Sequence, residues 1–147
     1  MRRTANSSAS AVGRAYSDNP RVVVLAGVSG AGKSTIGAML AEQLGWQFID
    51  GNNLHPKQNI QKMRAGIPLD DQDRLPWLDA VREEITFRLE SGLSAIVECS
   101  ALKKAYRKFL TDSSSNVCVI FLTLRQGVAK NRVAKRQGSY FPESLVE

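Results

Sequence analysis

The chain has 147 residues, with 20 Lys or Arg against 14 Asp or Glu and a formal net charge of +6. That length holds one domain with a real core and excludes two, and no apolar run reaches the length of a membrane span, Lys33 interrupting the nearest candidate. Cys99 and Cys118 both lie in apolar strand-like runs, which predicts buried thiols in a reducing compartment, and the lone His55 excludes an all-histidine metal site.

The charge is unevenly spread. Residues 1–21 hold four Arg and one Asp, residues 22–100 seven basic and ten acidic side chains, and residues 101–147 nine basic and three acidic. A basic C-terminal third serves nucleic acid or a small polyanion. Aromatic interleaving and nucleic-acid motifs are absent from the sequence, which favours the small anion.

Residues 1–20 are Ser- and Arg-rich with no acid before Asp18, and read as a disordered extension ahead of one domain over 21–147. The same composition occurs in organellar transit peptides, but its helical amphipathic pattern is poor, so the expected compartment is cytoplasmic with an organellar address as the alternative. Residues 21–26 predict a strand apolar on both faces, central in a parallel sheet. Gly27-Val28-Ser29-Gly30-Ala31-Gly32-Lys33-Ser34 follows and fits G-x-x-x-x-G-K-[ST], the phosphate-binding loop. Its glycines let backbone N–H groups turn inward around a phosphate. Lys33 supplies a charge for the β- and γ-phosphates of ATP, Ser34 a hydroxyl for Mg²⁺, and the next helix its positive end.

That helix is expected from Lys33 to Leu44, with Ile36, Met39, Leu40 and Leu44 as its apolar stripe and Gly45 closing it. Trp46 to Ile49 predict a second strand ending at Asp50, a position where a carboxylate can hold a Mg²⁺-bound water or, alternatively, cap the turn that follows. Gly51 to Pro56 is turn chemistry opening a helix through Ile60 and Met63 to Gly66. After an acidic connection comes a long helix, Asp73 to Glu90, with Leu75, Leu78, Val81, Ile85 and Leu89 on one side. Ala95 to Cys99 is the third strand, Ala101 to Leu110 a basic helix, and Val117 to Leu124 a continuously apolar fourth strand. Gln126 to Gln137 is an Arg/Lys-rich helix, and Pro142 opens another. Alternating strands and helices predict an open parallel α/β sheet with helices on both faces.

Several segments together resemble the gluconate kinases, small P-loop kinases related to shikimate kinase. They are the loop Gly27 to Thr35, Asp50-Gly51-Asn52-Asn53-Leu54-His55-Pro56, Asn59 to Met63, Gly66 to Leu78 with its Asp-Arg-x-Pro-Trp-Leu run, Cys99-Ser-Ala-Leu-Lys-Lys-x-Tyr-Arg107, and Arg132 to Pro142. The resemblance implies a P-loop kinase fold and Mg·ATP-dependent phosphorylation of the terminal hydroxyl of D-gluconate. The same likeness leads to the expectation of a small-molecule kinase, a homodimer in some relatives, with no nucleic-acid or membrane partner. It makes Lys33, Asp50, Asn52 and Arg136 the candidate catalytic residues. Residues Gly27, Val28, Ser29, Gly30, Ala31, Gly32, Lys33, Ser34, Thr35 and Arg132 are candidates for ATP, and Ser34 and Asp50 for Mg²⁺. For gluconate the candidates are Asn52, His55, Arg74, Lys103 and Arg107. Arg74 suits bidentate capture of a carboxylate, against the alternative of a surface ion pair with Asp70, Asp71 or Asp73. Lys103 and Arg107 have i, i+4 spacing just beyond the third strand, and serve either substrate or a solvated face. Arg132 and Arg136 share that spacing in a segment that is a mobile lid in related kinases. Trp77 is expected to pack, and His55 to fix the turn before Pro56.

The chain departs from the family pattern in three places. Asn52 stands where the family has a second Asp, Gly138-Ser139-Tyr140 where it has Gly-His-Phe, and relatives continue past residue 147 into a further strand and closing helix. These departures keep two other readings in play: a weakened or inactive nucleotide-binding relative, and another small-molecule kinase such as a shikimate-kinase-like enzyme. Asn52 hydrogen-bonds a hydroxyl but cannot take its proton, a loss on the order of 10²–10⁴ in rate where a base matters. Asn52→Asp is therefore expected to raise gluconate turnover several-fold or more in an ADP-release assay. An unchanged or lower rate would remove the role assigned to position 52.

Overall fold

A computed structural model describes residues 17–28, 30–112 and 114–123. Four parallel strands carry the fold: β1 (Val22–Ala26), β2 (Gln47–Asp50), β3 (Ala95–Glu98) and β4 (Val117–Phe121), in the order β2-β3-β1-β4. The helices are α1 (Lys33–Leu44), α2 (Lys57–Arg64), α3 (Asp71–Glu90) and α4 (Lys104–Thr111), and a 3-10 turn, Gly51–Leu54, follows β2. β1 is central, as its two-sided apolar run predicts, with Val22, Val24, Leu25 and Ala26 fully buried. Among the described residues no helix is long and apolar enough to cross a membrane.

Helices cover both faces. On one side Val22, Val24, Ala26 and Val97 meet Trp77, Leu78, Val81 and Ile85 of α3 and Tyr106 and Leu110 of α4. On the other, Leu25 and Ile96 meet Ala41 of α1, with Val23, Leu40, Trp46 and Phe48 around them. α1 presents Gly37 and Ala41 to the sheet, rather than the stripe its large residues predict. A Cβ on Gly37 would stand 2.4 Å from Phe48 Cε2 and 3.2 Å from Leu25 Cδ1, so close approach selects the small face. Ile36, Met39 and Leu44 are left exposed and Leu40 half-buried.

Other expectations shift for local reasons. α3 begins at Asp71, two residues earlier than predicted, because Asp70 caps it: Asp73 N–H donates to Asp70 Oδ1 (2.7 Å) and Asp70 N–H to Asp73 Oδ2 (3.1 Å). Leu75 is exposed, and Trp77 takes its place in the core. α4 starts at Lys104 and not at Ala101, since the Ala101 and Leu102 carbonyls are engaged by the Arg107 guanidinium. Cys99 is buried as expected, but Cys118 is exposed, because among the described residues β4 pairs with β1 alone and buries only Val117. The predicted elements beyond residue 123 lie outside the described residues.

One close contact sets the active end of the sheet. A Cβ on Gly51 would fall 2.2 Å from the Glu98 carbonyl oxygen, so the chain leaving β2 crosses the end of β3 only without a side chain. Trp77 Nε1–H donates to the Gly51 carbonyl (2.9 Å) and ties α3 to the same point. Gly51→Ala is expected to cost about 1–3 kcal/mol of stability, since overpacking here meets backbone rather than a movable side chain. Urea unfolding checks this, and a variant with wild-type stability would show that the strand ends are free to part.

Candidate active site

The phosphate-binding loop is shaped by Gly27, Gly30 and Gly32, at φ 137°, 86° and 94°, which L side chains rarely adopt. Gly27 also packs without a side chain against β4's continuation, where a Cβ would lie 2.5 Å from the Leu122 carbonyl oxygen. Gly32 precedes the first turn of α1, and the Ile36 N–H returns to its carbonyl at 2.9 Å. Lys33, only 5% exposed, sends its ammonium across the loop to donate to the Gly27 carbonyl (2.7 Å) and the Val28 carbonyl (2.9 Å). Ala31 is buried, Thr35 exposed, and Ser29 lies outside the described residues. A cation held inside a ring of backbone groups at a helix N-terminus is built for an anion.

Two carboxylates stand beside it, because Asp50 and Glu98 are register partners at the C-terminal ends of β2 and β3. Ser34 Oγ–H donates to Glu98 Oε2 at 2.8 Å, and Glu98 is almost fully buried. Asp50 Oδ1 accepts from the Asn52 backbone N–H (2.9 Å), which places Asn52 in the 3-10 turn just past the strand. The sequence reading missed Glu98. The available signal was a carboxylate ending an apolar parallel strand, at the edge where such sheets bind ligands. Magnesium favours oxygen donors, usually one or two carboxylates with phosphates and waters, and the Ser34, Asp50 and Glu98 donor set fits it. Cys99 follows Glu98, but burial pushes its thiol up to about 12, so it is no nucleophile.

The acceptor side is built on Trp77. His55 stacks on its indole, centroids 4.3 Å apart and planes at 12°, and Asn59 Nδ2–H donates to His55 Nδ1 (3.2 Å) and to the Asp73 carbonyl (2.7 Å). Burial, with the Arg74 charge second, lowers the His55 pKa to about 4. The ring is therefore neutral near pH 7 and fixes the turn, as its place before Pro56 predicts. Arg74 is half-buried, its guanidinium carbon 5.9 Å from the Tyr106 ring centroid. The surface ion pair weighed for it does not form among the described residues. Asp70 caps α3, Asp73 takes Lys62 (2.9 Å) and Asp71 takes Lys103 (2.6 Å).

Lys103 and Arg107 part company. Lys103 is the residue before α4, paired to Asp71, whose carboxyl it holds below the usual range with help from the Tyr106 hydroxyl. Arg107 donates to the Ala101 and Leu102 carbonyls (2.9 and 2.6 Å) and lies 4.8 Å from the Phe121 ring centroid, so it braces the loop after β3. The structure thus gathers Lys33, Ser34, Asp50, Asn52 and Glu98 at the strand ends, and Arg74 with Lys103 on the α3–α4 side. Arg132 and Arg136 lie outside the described residues.

The sequence and the fold resemble those of known proteins. The family described as an AAA domain matches residues 22–147. A gluconokinase from Gluconobacter oxydans is 39% identical over 127 residues, covering 86% of this chain and 71% of that one. A probable gluconokinase from Rattus norvegicus is 47% identical over 148 residues, covering 88% and 80%. The chain belongs to the gluconokinase family. Solved gluconokinase-like structures agree: a gluconokinase from Sinorhizobium meliloti superposes with a TM-score of 0.73 at 44% identity, covering 86% of this chain and 71% of that one. A sugar kinase from Janibacter reaches 0.79 at 41% identity, covering 86% and 73%. A shikimate kinase from Bacteroides thetaiotaomicron, at 17% identity and 0.59 with 80% and 65% covered, shares the fold.

His55 yields a pH-dependence in this gluconokinase. With its pKa about 4 when folded against the ordinary 6.5 of an exposed imidazole, only the unfolded chain binds its proton between those values. The neutral ring's contribution is complete above pH 6.5 and is lost as pH falls toward 4. It amounts to on the order of 2–3 kcal/mol. His55→Gln is expected to flatten that part of the stability profile in urea unfolding at pH 7 and pH 4.5; an equal acid loss in both proteins would assign it to other groups.

Proposed function

We propose that this chain transfers the γ-phosphoryl group of ATP to the terminal hydroxyl of D-gluconate, giving 6-phospho-D-gluconate and ADP. The observation that carries this reading is the loop of a gluconokinase-family chain in which a buried Lys33 ammonium spans the Gly27 and Val28 carbonyls while Ser34 bonds Glu98. Phosphoryl transfer needs little covalent chemistry from the protein and much placement of charge. The loop N–H groups and the Lys33 ammonium, already placed by the Gly27 and Val28 carbonyls, hold the phosphate oxygens. Ser34, Asp50 and Glu98 hold Mg²⁺, which when bound neutralises charge on the phosphates.

On the acceptor side Asn52 hydrogen-bonds the attacking hydroxyl, and Asp50 sets its place through the backbone bond between them. His55 holds that turn through Trp77 and Asn59, and supplies no base. Arg74 takes the gluconate carboxylate beside Lys103, which is paired to Asp71, Arg107 supports the loop that carries Lys103, and Arg132 and Arg136 are assigned to the phosphates. The partners are small molecules only, ATP and gluconate. No observation favours the shikimate-kinase-like or inactive readings.

A coupled ADP-release assay with Mg·ATP against gluconate, shikimate and nucleoside monophosphates tests the reading, with calorimetry of ATP binding alongside. Turnover is expected with gluconate. ATP binding without turnover of any acceptor would return the non-catalytic reading, and no ATP binding would remove the phosphate site itself. Within the same assay Glu98→Gln is expected to raise the half-saturating Mg²⁺ concentration by about 10–100-fold. An unchanged Mg²⁺ dependence would leave Glu98 a purely structural partner of Ser34.

A further inference from the structure

Asp71, Arg74, Lys103 and Tyr106 join the N-terminal ends of α3 and α4. Asp71 Oδ1 accepts from Lys103 Nζ at 2.6 Å and also from the Tyr106 hydroxyl. Arg74 lies three residues beyond Asp71 on the same face of α3, its guanidinium carbon 5.9 Å from the Tyr106 ring centroid; Lys103 Nζ lies 5.5 Å from that centroid. Tyr106 is 8% exposed and rooted in the core, whereas Asp71 and Lys103 are exposed. The ring is therefore the fixed member of the group.

Two cations share this ring with one carboxylate, which pairs with Lys103 and not with Arg74. The cluster is left with one positive charge more than it has negative ones, the complement of a single carboxylate. An aromatic face attracts a guanidinium while leaving its N–H edges open for bidentate capture. A side chain already ordered on a platform loses less freedom when it binds. The Arg74 charge also reaches His55, which closes the turn bearing Asn52, so the cluster adjoins the acceptor side of the site.

We propose that Tyr106, locked by its hydroxyl bond to Asp71, is a positioning residue that holds the Arg74 guanidinium for the acceptor's carboxylate and so makes the enzyme select an acid. This rests on the gluconate reading above. Core packing alone would need only the Tyr106 ring; the hydroxyl bond to Asp71 fixes the ring over which Arg74 lies.

Tyr106→Phe keeps the ring and removes the hydroxyl bond. It is expected to raise KM for gluconate about tenfold, the size of one charge-assisted hydrogen bond. kcat at saturating gluconate, KM for ATP and the thermal midpoint should stay near wild type. In an Arg74→Ala background, Tyr106→Phe is expected to add nothing further to the gluconate KM, because its effect passes through Arg74. An unchanged gluconate KM in Tyr106→Phe, or full additivity with Arg74→Ala, overturns the inference while leaving gluconate turnover intact. A wild-type protein that neither phosphorylates gluconate nor binds it in calorimetry overturns the underlying reading, and this inference with it.

Discussion

The buried ammonium of Lys33 is the constraint around which the rest is arranged. A charge this far from water is tolerated only when paired or hydrogen-bonded, and here the Gly27 and Val28 carbonyls meet it at 2.7 and 2.9 Å. Those carbonyls reach it because Gly27 adopts a backbone conformation closed to other residues, packed so tightly on Leu122 that a side chain would collide. The end of β1, the stretch after β4 and the start of α1 are thus fixed relative to one another by one cation. Its energetics also define the function: a site that has already desolvated a positive charge needs little reorganisation when an anion arrives.

The two carboxylates at the neighbouring strand ends divide the remaining work. Glu98 is buried against Ser34 and faces the phosphate side. Asp50 gives one oxygen, Oδ1, to the Asn52 N–H, and so ties the end of β2 to the turn that follows it. Both lie where they do because Gly51 lets β2 and β3 end within van der Waals contact and Trp77 bonds its carbonyl. The indole that closes this junction also stacks His55, so one core residue of α3 organises both halves of the site.

Much of this was legible in the sequence, and the failures share a cause. The loop, the central β1, the caps at Gly45 and the strand–helix alternation follow from local chemistry and periodicity, which the chain carries in short windows. The face of α1 was not legible, because Gly37 and Ala41 are chosen by the distance to Phe48, a residue on another element. Arg107 looked like a partner of Lys103 by spacing, yet it satisfies the Ala101 and Leu102 carbonyls and shortens α4 in doing so. Cys118 has the same apolar flanks as Cys99, and only the sheet order separates an edge strand from an inner one. Glu98 is the instructive omission: its meaning depends on lying beside Asp50 across a sheet, a pairing no single window contains.

Asn52 gains sense from that electrostatic setting. The site must bring together two anions, a nucleotide and a sugar acid, beside Asp50 and Glu98, and a third carboxylate at position 52 would add repulsion at the point where they meet. An amide there keeps a hydrogen bond to the hydroxyl and removes that charge, but it also removes a base. Which matters more depends on the transition state. In a loose phosphoryl transfer the attacking hydroxyl keeps its proton until late, so placement and charge carry most of the rate, and the base that Asn52→Asp restores is worth several-fold rather than the full effect of a general base. On the proposed reading Lys33 then bears on the rate more than the group at 52, while Arg74 held over Tyr106 bears on how tightly the acid is bound.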